Sequence, residues 1–236
     1  NVTTNGFKRS RADFQDLLYQ TLKQPGAQSA QGVQIPTGFQ LGQGTRPVAA
    51  QRMHEIGDFK QTGNQLDLAI EGDGFFQIRL PNGDLGYTRD GAFKKNSEGN
   101  IVTSDGYPLD PPINIPAETA TVQIGEDGIV TAKVGSDPEP QQLGQLQLAK
   151  FMNPAGLEAM GRNLLKQTSA SGASVTGSPG DSTVGIGGIA QGFIEGSNVK
   201  VVEEMVEMIA GQRAYEMNTK TITAVDQMLR QVTSMR

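Results

Sequence analysis

Cysteine and tryptophan are absent from the 236 residues, and histidine occurs once, at His54. Without cysteine there can be no disulfide, no thiolate metal site and no cysteine nucleophile, and a chain of this kind can pass through an export channel without cross-linking. A single histidine removes zinc centres built from His and Cys. A Ser–His–Asp triad would have to use His54, yet no serine stands in a Gly-x-Ser-x-Gly elbow. Between Met53 and Glu55 on an expected strand, His54 reads as structural or solvent-facing. No apolar run reaches the 18 residues of a spanning helix. No charged segment precedes an apolar one in the manner of a cleaved signal. Charged residues are only 19% of the chain, and 25 acidic against 20 basic residues give a net charge of −5. The one dense basic cluster, Lys8-Arg9-Ser10-Arg11, lacks the interleaved aromatics of a nucleic-acid surface and reads as a solvated turn or helix start. Nucleic acid and membrane insertion are therefore set aside, as are cofactors and catalysis.

Glycine is what the chain has in quantity. Thirty of them bring an apolar share of 36% up to the usual range, so turns and close backbone approach replace a thick aliphatic core. Asp73-Gly74, Asn82-Gly83, Asp90-Gly91, Glu98-Gly99, Asp105-Gly106 and Asp127-Gly128 punctuate the middle of the chain. Such dipeptides suit type I′ hairpins, where both central residues have positive φ. They predict short antiparallel strands at Gly74–Leu80, Gly86–Arg89 and Asn100–Thr103. Leu66, Leu68 and Ile70 alternate, as do Leu146 and Leu148. The proline-rich stretches Pro108–Pro116 and Pro138–Pro140 must be edges or loops, since proline cannot donate to a ladder.

Two local patterns suggest chemistry and fail on context. Asp67, Glu71 and Asp73 lack the spacing and terminal Glu of a calcium loop, so they read as turn formers. Gly185-Ile186-Gly187-Gly188-Ile189-Ala190 matches a dinucleotide fingerprint, but a Gly/Pro/Ser/Thr loop precedes it instead of a parallel βαβ unit. A flexible or closely packed linker is the better reading.

The two ends of the chain have other periods. Phe14, Leu17, Leu18 and Leu22 recur at three to four residues, predicting a short helix stopped by Gln24-Pro25-Gly26. Val33, Ile35, Phe39 and Leu41 fall on alternate positions of a Gln/Ser/Gly-rich segment, an extended arm or long hairpin that cannot by itself bury enough to offset its ordering entropy. From Asn198 to about Ser234 there is no proline and one internal glycine. Val201, Met208, Tyr215, Ile222 and Leu229 recur every seven residues, joined by Val225 and Val232 in one half and by Val202, Met205 and Ile209 in the other. This predicts a helix of roughly 55 Å whose coiled-coil-like seam asks for another helix. The expected organisation is an N-terminal motif and short helix (1–23), an arm (24–45), a β-rich outer domain (46–171), a Gly/Ser-rich connector (172–197) and a helical polymerisation segment (198–236). The fold class is mainly antiparallel β with terminal α.

Three blocks in order resemble the flagellar rod and hook family. They are Asn1-Val2-Thr3-Thr4-Asn5-Gly6-Phe7-Lys8; Leu68 to Gln77 with Tyr87-Thr88-Arg89-Asp90-Gly91; and Glu203-Glu204-Met205, Met208-Ile209, Gln212 to Glu216 and Asp226 to Leu229. Leu17-Leu18-Tyr19-Gln20, the insertion Gln24–Thr45 and the run Gly44 to Ala49 resemble the distal-rod members of that family. The resemblance implies a non-catalytic subunit, exported without a cleaved signal, in a helical homopolymer running from the periplasm to the outer membrane. It implies contacts with proximal rod proteins, the hook, the P- and L-ring proteins and the export apparatus, and a further helix ahead of Asn1. Terminal helices would line the inner wall and the arm would stiffen the shaft. A secreted Gly-rich adhesin or binding module is the alternative reading.

Overall fold

A computed structural model describes residues 1–26, 28–30, 33–34, 36–135 and 139–234. The first six strands are β1 (Ser10–Asp16), β2 (Tyr19–Lys23), β3 (Gln28–Ala30), β4 (Val33–Gln34), β5 (Phe39–Gly42) and β6 (Thr45–Arg52). They pair in a nested way: Ser10↔Arg52 through Asp16↔Thr45, then Tyr19↔Gly42 through Lys23↔Phe39, then Gln28↔Gln34 and Ala30↔Val33. The described residues between 10 and 52 thus pair as one long two-stranded hairpin, with arms of roughly 60–70 Å contour length. The predicted helix over Phe14–Leu22 does not form. Leu17 and Leu18 lie in the break between β1 and β2, and Leu22 is the extra residue where the β2–β5 register shifts. Interruptions of a two-residue alternation therefore generate spacings of three and four that imitate a helix. At the base, Ala12, Phe14, Pro47 and Ala50 share one face, while Arg11, Asp13, Gln15 and Arg46 share the other.

The body follows: β7 (Phe59–Gln61), β8 (Leu68–Glu71), β9 (Phe75–Arg79), β10 (Leu85–Thr88), β11 (Lys94–Lys95), β12 (Ile101–Val102), β13 (Thr119–Ile124), β14 (Ile129–Val134) and β15 (Gln141–Gln145). It continues with β16 (Leu148–Lys150), β17 (Glu158–Gly161), β18 (Leu164–Lys166), β19 (Val175–Gly177), β20 (Gly188–Gln191) and β21 (Phe193–Glu195). A six-stranded sheet runs β17-β18-β10-β9-β16-β19, and β13-β14-β15 form a second sheet. Strand β9 is central and buried on both faces, which explains the run Phe75-Phe76-Gln77-Ile78. Phe76 and Ile78 enter the main core with Leu68, Ile70, Phe93, Leu146, Leu148 and Ile189. Phe75 enters a second cluster with Tyr87, Phe151 and Leu165, and Phe151 meets Tyr87 edge to face at 4.7 Å. Each such aromatic contributes about 1.5–3 kcal/mol by burial.

The glycine punctuation marks hairpins, with a different turn from the one expected. In Leu80–Asp84, Asn96–Asn100, Thr103–Tyr107 and Gly125–Ile129 the glycine N–H donates to the carbonyl three residues back, and the first and fifth residues also pair. Only Gly83, Gly99, Gly106 and Gly128 have positive φ, so each loop is a type I turn closed by a left-handed glycine. Both central residues are left-handed only at Arg162-Asn163, between β17 and β18. Asp90-Gly91 is no such turn: a Cβ on Gly91 would stand 1.6 Å from the Leu68 carbonyl oxygen, so this glycine serves close backbone approach. The Pro108–Pro116 stretch lies outside the strands, as expected, yet buries Leu109, Ile113 and Ile115 in the core. Pro138 lies outside the described residues.

Residues 172–197, expected as connector, supply β19, β20 and β21. Strand β20 pairs with β8, and β21 with β7. The second half of the glycine run at 185–190 thereby belongs to β20, and the run buries Ile186 and Ile189. Beyond it α1 spans Val201–Ser234, 34 residues with none buried.

Candidate assembly interface

Three stretches far apart in sequence meet where the hairpin, the body and the helix join. Glu195, the only charged residue between Asp181 and Lys200, ends β21 and is 0% exposed. Its Oε1 accepts from the ammonium of Lys8, which also donates to the Glu55 carbonyl, and from the Gly57 N–H at 3.0 Å. Arg89 Nε lies 3.3 Å from Glu195 Oε2, near enough for an ion pair although out of hydrogen-bond alignment. Arg89 also donates from Nη2 to the Gly72 carbonyl at 2.7 Å. Lys8 and Arg89 are 4% and 6% exposed. Lys8 is therefore no part of a solvated turn, because its charge is neutralised inside the protein. Burial pushes the pKa of both cations down, and Glu195 opposes that shift in each case.

Backbone contacts complete the junction. The Gly6 N–H donates to the Glu195 carbonyl at 2.8 Å, and a Cβ on Gly6 would stand 2.7 Å from the Arg89 carbonyl carbon. Asn198 ties the helix entry to the rest: its Oδ1 accepts from the Arg9 N–H at 2.8 Å, and its Nδ2 donates to the Met53 carbonyl at 2.9 Å. His54 follows the end of β6 and meets the Phe75 ring at 5.6 Å. Both its ring nitrogens are buried without a partner. Burial, with the charges of Lys8, Arg52 and Arg89, lowers its pKa from the ordinary 6.5 to about 4. The imidazole is therefore neutral at neutral pH. None of these groups stands out by periodicity. The signal available in the sequence was the isolation of Glu195 in an otherwise uncharged stretch.

The junction holds an uncovered helix. Val201, Val202, Met205, Met208, Ile209, Tyr215, Ile222, Val225, Leu229 and Val232 all lie on α1 and all are exposed. Val206, Met217 and Met228 are exposed as well. Their spacing of eleven keeps them on one side of the helix, and Met217 projects roughly 140° around from Ile222 at 100° per residue. Apolar groups thus occupy two sides. A helix of this kind in water is an incomplete structure, since helices apolar on several sides are found buried.

The hairpin is the second uncovered element. Phe39 and Leu41 lie on β5 and are exposed, as are Phe14, Leu18, Tyr19, Leu22 and Val48. Val33 lies on β4, and Ile35 falls outside the described residues. An isolated two-stranded ribbon is at best marginally stable in water.

Comparison with known proteins finds family matches on the body and on the helix. Residues 69–132 match the flagellar hook protein FlgE/F/G D1 domain, and residues 190–235 match the flagellar basal body rod FlgEFG protein C-terminal family. The chain is 46% identical over 235 residues to the flagellar basal-body rod protein FlgG of Buchnera aphidicola from Acyrthosiphon pisum, covering 100% of this chain and 90% of the relative. It is 46% identical over 237 residues to FlgG of Caulobacter vibrioides, with coverage of 100% and 90%. For FlgG of Bacillus subtilis the identity is 37% over 243 residues, with coverage of 100% and 89%.

Proposed function

We propose, from the premise that the chain belongs to the FlgG family of flagellar basal-body rod proteins, that it is a structural, non-catalytic subunit of the distal rod. Copies polymerise helically into a rigid hollow shaft that transmits torque to the hook and lets exported proteins pass along its axis. The observation that carries this reading is α1: 34 residues long, with no side chain buried and apolar groups on two sides. One partner helix would cover one side, whereas a wall of packed helices covers both. The inter-subunit residues are those of the seven-residue column, Val201, Met208, Tyr215, Ile222 and Leu229, with their flanking positions. The β body would face outward toward the ring proteins, and the hairpin would lie between neighbouring subunits. Proximal rod proteins and hook join at the two ends, and the flagellar export apparatus delivers the subunit.

Ile222→Asp tests this reading. A carboxylate placed on the column would lose several kcal/mol when buried unpaired against another helix. Electron microscopy of cells making the variant should show no rods, while the secreted subunit keeps the β-sheet circular dichroism of the parent. Normal rods built from the variant would overturn the assignment of that face to assembly.

A further inference from the structure

We infer that a cleft on the β body receives the Asp16–Tyr19 corner of the hairpin from a second copy of this chain; the inference rests on the homopolymer reading above. The cleft encloses about 450 Å³, and its walls include Phe75, Phe151, Met152, Val175 and Val184. Met152 stands at its lip, 95% exposed, an unusual state for a large apolar side chain with an apolar hollow beside it. Its polar lining is short of acceptors. Asp73, the one carboxylate of the lining, lies 3.1 Å from the Lys150 ammonium, and Arg89 is balanced from outside the lining by Glu195 at 3.3 Å. Arg89 keeps Nη1 buried without an acceptor, and the neutral His54 ring has both nitrogens, one donor and one acceptor, buried without a partner. The occupant that suits this lining is an apolar side chain carried beside a carboxylate.

The hairpin presents that combination at the break between β1 and β2. Asp16 is exposed there, Leu18 is 87% exposed, and Tyr19 follows, exposed as well. None of these residues lines the cleft of its own chain. Donor corner and acceptor cleft are different surfaces of one molecule, so the contact is heterologous. Each copy gives a corner to one neighbour and takes one from another. A contact of this type propagates as an open helical polymer, where a self-complementary patch would close into a dimer.

The absence of cysteine makes the test direct. The full-length protein carrying Leu18→Cys and Val175→Cys is assembled into rods and mildly oxidised, with Leu18→Cys alone and Leu18→Cys with Glu98→Cys as controls. A disulfide requires the two Cα atoms within about 7 Å. The expected result is a ladder of linked chains for the cleft pair only. Rods that form without the ladder overturn the cleft assignment alone. Equal linking with Glu98→Cys, or dimers from Leu18→Cys by itself, overturn it too. Failure of every protein, including the parent, to polymerise overturns the homopolymer reading and the cleft assignment with it.

Discussion

Glu195 is the sole carboxylate in contact with both Lys8 and Arg89, so Glu195→Ala leaves two cations inside the protein with only the weaker attraction of Glu55 and Asp73 to balance them. Removing one partner of a buried pair costs about 3–5 kcal/mol, most of it the penalty of the orphaned charge. We expect the urea midpoint of Glu195→Ala to fall accordingly, and Lys8→Met combined with Glu195→Leu to recover part of the loss. His54 gives a second expectation, in pH. Its folded pKa of about 4 lies below the ordinary 6.5, so the unfolded chain takes up the proton first. The stabilisation is fully present above pH 6.5, is lost as pH falls from 6.5 toward 4, and changes no further below that. Allowing for partial exposure, the loss is on the order of 2 kcal/mol. Thermal melts at pH 7 and pH 5 should therefore lie closer together in His54→Phe than in the parent; an unchanged gap would assign the acid sensitivity to other groups.

At the scale of the element, the hairpin and the helix share one property, a surface with nothing to cover it. Deleting Ala27–Gly42 removes the distal half of the ribbon and leaves β1 paired to β6. We expect a folded, exportable chain whose polymers are more compliant than those of the parent, measured as curvature in electron micrographs. Equally straight polymers would reduce the hairpin to an exposed loop. The sequence was legible where one physical rule acted alone. Heptad spacing located α1 to within three residues of its start, and the Asn-Gly, Asp-Gly and Glu-Gly pairs located four of the hairpins. It misled where two rules were superposed. Register shifts in the ribbon turned an alternation of two into a helical spacing, and the absence of a second positive φ changed the turn type. The junction was illegible because its members, Lys8, Arg89 and Glu195, are brought together by strand pairing across most of the chain and not by any local pattern.

For the whole molecule, the arrangement separates holding a shape from meeting a neighbour. The apolar core belongs to the β body, with no contribution from α1. Substitutions on the column of α1 should accordingly leave the unfolding free energy of the isolated subunit within about 0.5 kcal/mol of the parent, the ordinary range for surface changes. A melt lowered in step with loss of assembly would mean that helix and body fold as one unit. Asn198 fixes the entry to α1 by its bonds to Arg9 and Met53, so on the homopolymer reading it would also set the direction of a neighbour's approach.

The ion pair between Lys8 and Glu195 spans 187 residues of sequence, and this has a consequence in time. A chain delivered from its N-terminus has Lys8 in hand long before Glu195 arrives, and closing so long a loop has to wait for the far end. Until then β7 and β8 lack β21 and β20, and the hairpin is not yet fastened at its base. The same closure that buries Glu195 also sets the first turn of α1. On the homopolymer reading, a copy interrupted part-way would therefore offer no correctly aimed helix to a growing end.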